Sequence, residues 1–136
     1  MIRLLVFGSR DWTDRGLLER SIYDAAIIRG FSASGMGEEM VVVHGAARGA
    51  DTMAADWATK FRVPTEPHPA EWERYGKSAG PRRNTTMAKL GADLAIGFFN
   101  GMSPGSRDML ERCVFHSIPV LVVPARKRVV TVASSG

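Results

Sequence analysis

The sequence predicts an α/β fold: a single Rossmann-like, doubly wound parallel sheet of about five strands with helices on both faces. Short apolar runs at residues 2–7, 40–43, 92–99 and 118–123 lack the polar alternation of a half-exposed strand. Such runs are typical of strands buried in a parallel sheet. Residues 63–69 contain three prolines and are predicted to form an edge strand at best.

Segments with apolar residues at three- and four-residue spacing separate these runs, which predicts helices in alternation with the strands. Asp14 is a suitable N-cap for the first helix, and Gly30 closes it. A second helix is predicted from Asp51 onward, and a third, with Pro81 in its first turn, runs through Leu90 to a stop at Gly91. The last is predicted at residues 106–116, and residues 70–80 are predicted to form a long loop.

The composition fits one domain, predicted at residues 1–125 and followed by a basic turn and tail at residues 126–136. The single cysteine among 136 residues excludes an internal disulfide framework and fits a reducing compartment. No apolar run approaches the roughly 18–20 residues that a transmembrane helix needs. We therefore expect a cytoplasmic protein without a membrane partner, whose formal charge of +4 is compatible with a polyanionic ligand.

The break after the second strand has the composition of a phosphate-binding loop. It consists of Gly45, Ala46, Ala47, Arg48 and Gly49, followed by Asp51 at the predicted helix start. Small residues let the backbone approach a ligand, and the first N–H groups of a helix point outward unpaired. Arg48 would add a planar cation that matches phosphate oxygens. Asp51 is ambiguous, because it suits a cap as well as a contact to a sugar or base.

The first strand ends in a second candidate loop, which contains Gly8, Ser9, Arg10 and Asp11. Arg10 would hold a phosphate and Asp11 would accept hydrogen bonds from ribose hydroxyls, although Ser9 and Asp11 also suit turn capping. Ligands of doubly wound sheets bind at the carboxyl ends of the strands. That rule brings this loop, residues 45–51 and residues 100–107 to one edge of the sheet.

Two further groups of residues are candidates for the same site. Trp72 and Tyr75 would stack on a base, or would pack as a lid on their own domain. Arg83 and Asn84, beside Arg82, lie in the first turn of a predicted helix, where side chains and free N–H groups can face an anion.

Two motif matches fail on physical grounds. Residues 76–78 read Gly-Lys-Ser, but a P-loop needs a glycine where Glu71 stands and a backbone free of bulky side chains. Residues 101–105 match Gly-x-Ser-x-Gly, but Pro104 has no N–H for an oxyanion hole. His44, His68 and His116 lack metal-ligand spacing, so we expect neither a metal nor a cofactor.

The assembled motifs resemble the YspA-like (YAcAr, formerly DUF2493) branch of the SLOG superfamily. They are GSRDW, HGAARGAD, PAEWERYGKSAGPRRN and the glycine-rich loop after ADLAIGFF, and together they span roughly residues 2–123. The resemblance implies a Rossmann-like domain that binds a nucleotide or a nucleotide-derived ligand, of a kind found in phages and in bacterial conflict systems. Residues matched to the family's ligand loops are Gly8, Ser9, Arg10, Gly45, Ala47, Arg48, Gly49, Asp51, Arg83 and Asn84.

The fourth loop departs from the pattern of the related lonely-guy phosphoribohydrolases, which is PGGxGTxxE. Gly105 and Ser106 would stand for its Gly-Thr, and Met109 falls where the glutamate belongs. Glu111 points about 200° away from Met109 around the helix. The resemblance therefore implies that the phosphate-binding part is retained while the catalytic acid is missing.

These observations favour binding of a nucleotide or nucleotide-derived small molecule, by a sensor or sequestering protein. One alternative is a nucleotide N-glycosidic hydrolase in which Asp11, Asp51 or Glu71 replaces the absent glutamate. Another is single-stranded DNA binding, suggested by the distant resemblance to DprA. Many SLOG relatives pair, so a homodimer is a further expectation.

Overall fold

The computed structural model describes residues 1–126 and contains one five-stranded, all-parallel sheet. Its strands are β1 (Ile2–Gly8), β2 (Met40–His44), β3 (Thr65–Pro67), β4 (Leu94–Phe99) and β5 (Val120–Pro124). Their order across the sheet is β3-β2-β1-β4-β5, with β3 and β5 at the two edges. The predicted fold class is confirmed.

Five α-helices connect the strands: α1 (Arg15–Ile28), α2 (Ala50–Lys60), α3 (Trp72–Tyr75), α4 (Ala79–Leu90) and α5 (Pro104–Phe115). Helices α1 and α2 cover one face of the sheet, where Trp57 packs among the side chains of β1 and β2. Helices α4 and α5 cover the other face through Met87, Met109 and Cys113. The three central strands, β1, β2 and β4, are thus buried between two layers of helices, which is why their sequences are apolar without alternation.

Local signals place several boundaries where the sequence predicts them. Asp14 caps α1, since its carboxylate accepts from the N–H of Leu17 at 3.1 Å. Gly91 follows α4 with a φ of +82°, a backbone conformation that favours glycine. The proline-rich segment forms the short edge strand β3, as predicted.

The predicted loop at residues 70–80 is wrong in detail. It contains the single turn α3, a 3₁₀ turn at Gly76–Ser78 and the first two residues of α4. Pro81 lies in the first turn of α4, as predicted, at a position whose backbone nitrogen has no intrahelical acceptor. A four-residue helix has no periodicity to detect, and contacts of the Tyr75 ring with Arg74 and Arg82 accompany it.

Helix α5 begins at Pro104 rather than at the predicted residue 106. Ser103 is its N-cap, and the Ser103 hydroxyl accepts from the N–H of Ser106 at 3.3 Å. Serine before proline is a strong helix-start signal, because the serine caps and proline suits the first helical position. Part of the predicted C-terminal turn and tail, residues 127–136, lies outside the described residues.

The strand order reverses between β1 and β4. The chain leaves β1 toward β2 on one side, and β4 later pairs with β1 on the other. Loops that leave β1 and β4 in opposite directions open a crevice at the carboxyl edge of the sheet. Within residues 1–126, no helix has the length and apolar character needed to cross a membrane.

Candidate functional site

A cleft of about 740 Å³ occupies this crevice. It is lined by the loop after β1, the start of α2, the α3–α4 segment and the loop that leads into α5. Eleven of the fifteen predicted ligand residues line it: Gly8, Ser9, Arg10, Asp11, Ala47, Asp51, Trp72, Arg83, Asn84, Gly105 and Ser106. The topology thus collects segments that are distant in sequence.

Gly8 and Ser9 hold the floor of the cleft in place. A Cβ at Gly8 would collide with the carbonyl oxygen of Phe98 on β4, so this position requires glycine. Ser9 is 2% exposed, and its hydroxyl accepts from the N–H of Asn100 at 2.9 Å. Ser9 therefore joins the ends of β1 and β4, and its hydroxyl already has a partner.

Gly49 lets the second loop approach the first. It has a φ of +75°, and a Cβ there would lie 2.6 Å from the carbonyl oxygen of Arg10 and still closer to that of Ser9. The N–H of Ala50 points at the Ser9 carbonyl from 3.4 Å. Gly49 itself lines no part of the cleft and acts as a spacer between the two loops.

Asp51 closes the second loop upon itself. Its Oδ2 accepts from the N–H groups of Gly45 at 2.9 Å and Ala47 at 3.3 Å. The N–H of Ala46 is taken by Nδ1 of His44 at 3.0 Å. The backbone N–H groups of Gly45, Ala46 and Ala47, which belong to the predicted phosphate cradle, are therefore occupied by side chains of the protein.

Asp51 is also a buried carboxylate, only 5% exposed. Burial raises its pKa from 3.8 to about 6, against the opposing effects of the Ala47 hydrogen bond and the charge of Arg83. Burial likewise lowers the pKa of Arg83. Gly45 links the two side chains, because its N–H donates to Asp51 and its carbonyl accepts from Arg83.

Arg83 and Asn84 tie three loops together. Nη1 of Arg83 donates to the carbonyl of Gly45 at 2.5 Å and lies 3.4 Å from that of His68. Nε of Arg83 donates to the Asn84 amide oxygen at 2.9 Å. The Asn84 amide nitrogen donates in turn to Asp108 on α5 at 3.0 Å. These consecutive residues are thus structural supports as well as lining groups.

Trp72 forms an exposed wall of the cleft. Its side chain is 47% exposed, and the guanidinium of Arg10 lies over its ring at 5.6 Å from the ring centroid. The ring rests against Gly80 at the start of α4, where a Cβ would approach within 3.2 Å. Arg10 and Trp72 come from different loops, so their stacking joins the two rims of the site.

Four predicted residues lie outside the cleft. Gly45, Ala46 and Arg48 line a neighbouring recess of about 340 Å³, which shares Arg10, Ala47, Trp72 and Arg83 with the cleft. Gly49 is the spacer described above. Arg48 is exposed, and Arg10 with Trp72 stands between it and the cleft. A ligand reaching Arg48 would have to extend past this pair.

The structure also adds residues that the sequence-based site omits. The main additions are Lys77, Asn100, Met102, Ser103 and Asp108. Lys77 belongs to the rejected Gly-Lys-Ser motif but reaches the cleft through the 3₁₀ turn. In the sequence, only the i,i+4 spacing of Asp108 and Arg112 could have drawn attention to Asp108. In the structure, Nε of Arg112 donates to the Asp108 carboxylate at 3.2 Å.

Met109, which the resemblance places where the glutamate would stand, has apolar surroundings. Met109 is 1% exposed, lies at the inner end of the cleft and packs in the core beneath α5. Glu111 is exposed and lines no part of the cleft. Glu71, offered above as a replacement, lines a different recess. Among residues 1–126, no group of three or more potential metal ligands comes together.

These features define an α/β domain of the Rossmann-like class with a mixed-charge cleft at its topological switch point. A sequence profile of the YspA, cpYpsA-related SLOG family matches residues 2–75, and the chain belongs to that family. The matched segment includes β1, β2, α2 and Trp72. Arg83, Asn84 and Ser106 lie beyond its C-terminal end.

A relative among the curated proteins extends the similarity over the rest of the chain. Gene 61 protein of Mycobacterium phage D29 is 40% identical over 126 residues, which cover 89% of this chain and 95% of the phage protein. The C-terminal domain of a hydrogenase from Pyrococcus furiosus is 16% identical, with 90% of each chain covered and a TM-score of 0.45. At that level the likeness says nothing about activity.

Proposed function

We propose that the cleft binds a nucleotide or a nucleotide-derived small molecule. The observation that carries the proposal is the convergence of cationic, anionic and aromatic side chains from four segments in one cleft of about 740 Å³. This volume falls within the range of ligand-binding clefts, which is roughly 300–1,000 Å³. Membership of the SLOG family supports a nucleotide-related ligand.

The phosphate groups would be held by side chains rather than by the backbone of the second loop. Arg10 and Lys77 are exposed cations that line the cleft, and Arg83 lies deeper within it. Ser106 at the start of α5 would add a hydroxyl near a helix N-terminus. Because the loop donors of Gly45 and Ala47 are bonded to Asp51, they would contribute only if that bond opened.

The sugar and the base have separate candidate partners. Asp11 accepts from the side-chain amide of Asn100 at 3.1 Å and is exposed, so its carboxylate is accessible to ribose hydroxyls. Trp72 would stack on the base in place of, or together with, the Arg10 guanidinium. Both partners lie on the outer rim, and the phosphate candidates Arg83 and Ser106 lie deeper.

A thermal-shift screen with nucleoside mono-, di- and triphosphates, ADP-ribose and cyclic nucleotides tests this function. A ligand at about 100 times its Kd adds roughly 2.7 kcal/mol, a shift of several degrees for a domain of this size. Arg10→Gln and Lys77→Gln should each weaken the shift, because both cations line the cleft. Arg48→Gln should leave it unchanged unless the ligand extends into the neighbouring recess.

Absence of a shift with every nucleotide would overturn the proposal. Retention of the full shift in a double Arg10→Gln, Lys77→Gln variant would place the ligand elsewhere. A single-stranded oligonucleotide whose affinity falls steeply with salt would favour the DNA-binding alternative, because displaced counterions dominate such binding.

A second candidate function, N-glycosidic hydrolysis of a nucleotide, is favoured by Asp108. This carboxylate lines the cleft one residue before Met109 and is oriented by Asn84 and Arg112. It would stabilise positive charge at the ribosyl carbon while water replaces the departing base. Chromatography of nucleoside monophosphates incubated with the protein should detect free base. This release should be lost in Asp108→Asn. Absence of free base from both purine and pyrimidine substrates would contradict this function.

A further inference from the structure

A second recess, of about 550 Å³, lies beyond Arg83 on the side away from the cleft, between the end of β3 and the outer side of α4. Its polar lining includes His68, Glu71, Arg82 and Arg83. The cleft described above uses none of these side chains except Arg83, which forms the wall between the two cavities. The recess is therefore a separate candidate site.

His68 is fixed in this recess by a chain of charged groups. Nε2 of His68 lies 2.8 Å from Oε2 of Glu66, and both Glu66 oxygens accept from Arg3, at 3.0 and 2.9 Å. Nε of Arg3 is anchored on the carbonyl of Gly91 at 3.0 Å. The Arg3 hydrogen bond, followed by that of His68, lowers the pKa of Glu66 to about 2, so Glu66 stays ionised and holds the imidazole in one orientation.

The other ring nitrogen of His68, Nδ1, has no hydrogen-bond partner among residues 1–126. Every fully buried side-chain nitrogen or oxygen in that range has a partner, so Nδ1 keeps some exposure to solvent. Nδ1 is therefore accessible, on a side chain that is only 19% exposed and lines the recess. An imidazole oriented by a carboxylate, with its second nitrogen free, is a common arrangement at ligand and catalytic sites.

The charges around the recess favour an anion. Arg82 is held by Ser78, whose hydroxyl accepts from its Nε at 3.1 Å, and by the Tyr75 ring at 4.3 Å. Glu71, the one carboxylate of this lining, pairs with Arg74 at 3.8 Å. The charge of Glu66 is matched by that of Arg3. Arg82 is thus left as positive charge beside the open nitrogen of His68, whereas Arg83 also interacts with Asp51 and Asp108.

We propose that this recess binds a tetrahedral oxyanion, a phosphoryl or sulfuryl group, between Arg82 and the imidazole of His68. Arg82 supplies a fork of N–H donors that matches two oxygens of such a group. The imidazolium form of His68 donates from Nδ1 to a third oxygen while Nε2 remains on Glu66. This site does not depend on nucleotide binding in the cleft.

The test is an NMR titration of the His68 ring protons with inorganic phosphate and, separately, with sulfate, at constant pH and constant ionic strength balanced by chloride. The chain has three histidines, so single His→Gln variants assign the ring signals. We expect a saturable shift of the His68 signals with both anions. In Arg82→Gln the affinity should fall by at least about tenfold, the effect of losing a charged hydrogen-bond donor.

Two arginine variants serve as matched controls. Arg74→Gln removes the other guanidinium that stacks on Tyr75 but does not line the recess. Because it also frees the charge of Glu71, it should weaken the titration, but less than Arg82→Gln does. Arg10→Gln alters only the cleft and its neighbour, so it should preserve the titration even if nucleotide binding is lost. No saturable shift, an unchanged affinity in Arg82→Gln, or equal losses in Arg82→Gln and Arg74→Gln would overturn the proposal.

Discussion

The carboxylate of Asp51 accepts a hydrogen bond from the backbone N–H of Gly45 at 2.9 Å. The second residue of α2 thus holds closed the loop that precedes the helix. A loop of small residues before a helix suggests free backbone donors for a phosphate. Here a carboxylate of the protein takes the N–H groups of Gly45 and Ala47, which is why the proposed phosphate contacts are made by side chains around the cleft.

Replacing Asp51 with asparagine should remove a pH-dependent loss of stability. Because burial raises the Asp51 pKa from 3.8 to about 6, the folded protein retains a proton that the unfolded chain releases. Stability from this group is complete below about pH 4 and falls as the pH rises to about 6. The wild-type protein should lose up to about 3 kcal/mol across this window relative to Asp51→Asn.

Urea unfolding of both proteins between pH 3 and pH 8 measures this difference. Other carboxylates titrate equally in the two proteins, so the difference between them isolates Asp51. A constant difference at every pH would contradict the raised pKa.

Replacing Glu66 with glutamine should destabilise the protein with the opposite pH dependence. Hydrogen bonds from Arg3 and then His68 lower the pKa of Glu66 from 4.5 to about 2. The contribution of Glu66 to the free energy of unfolding is therefore complete above about pH 4.5 and is lost as the pH falls toward 2. Since the side chain is 35% exposed, solvent screening limits the loss at neutral pH to about 1 kcal/mol. Unfolding free energies at pH 7 and pH 3 check this, with Glu71→Gln as a nearly neutral control; equal losses at both pH values would refute it.

Gly49→Ala should be strongly destabilising, because a Cβ would meet the carbonyl oxygens of Ser9 and Arg10 and because φ is +75°. We expect a loss of about 2–4 kcal/mol. Gly101→Ala is a matched control, since Gly101 has a φ of +73° with no atom within 4 Å of its Cβ position. It should lose only about 1 kcal/mol, the cost of the left-handed backbone. Equal losses in the two variants would mean that the loops do not touch at Gly49.

Acrylamide quenching of tryptophan fluorescence should report occupancy of the cleft. Trp12 and Trp57 are 2% and 1% exposed, whereas Trp72 is 47% exposed. Quenching should therefore come mainly from Trp72 and should nearly disappear in Trp72→Phe. A nucleotide stacked on Trp72 should protect it from quencher. A nucleotide that stabilises the protein without reducing the quenching would place its base away from Trp72.

The sequence predicts the parts of the site that follow from local chemistry. Gly8, Ser9, Arg10 and Asp11 follow a buried strand, and strand ends in a parallel sheet share one edge, so their convergence could be predicted without coordinates. The start of α1 after Asp14 and the end of α4 before Gly91 could be predicted in the same way, since both residues have local conformational roles. The single turn α3 could not be predicted, because a helix of four residues is too short to show a periodic pattern.

The directions in which the side chains point could not be predicted from the sequence. Arg48 has the chemistry of a phosphate ligand but lies in the recess beside the cleft, whereas Lys77 reaches the cleft from a rejected motif. Asp108 lines the cleft because α5 is rotated to bury Met109 and Cys113 in the core. That rotation depends on packing against the sheet, which no local pattern specifies at the level of one residue.

The sequence by itself determined the alternation of strands and helices, and with it the edge at which the loops meet, because hydrophobic periodicity and chain punctuation are local properties. Only the tertiary structure decided which groups are free to bind. Asp51 occupies the N–H groups of Gly45 and Ala47, and Glu66 orients His68, which lines a separate recess. Both outcomes depend on partners brought together by folding, since a hydrogen bond requires a specific distance and angle between its atoms.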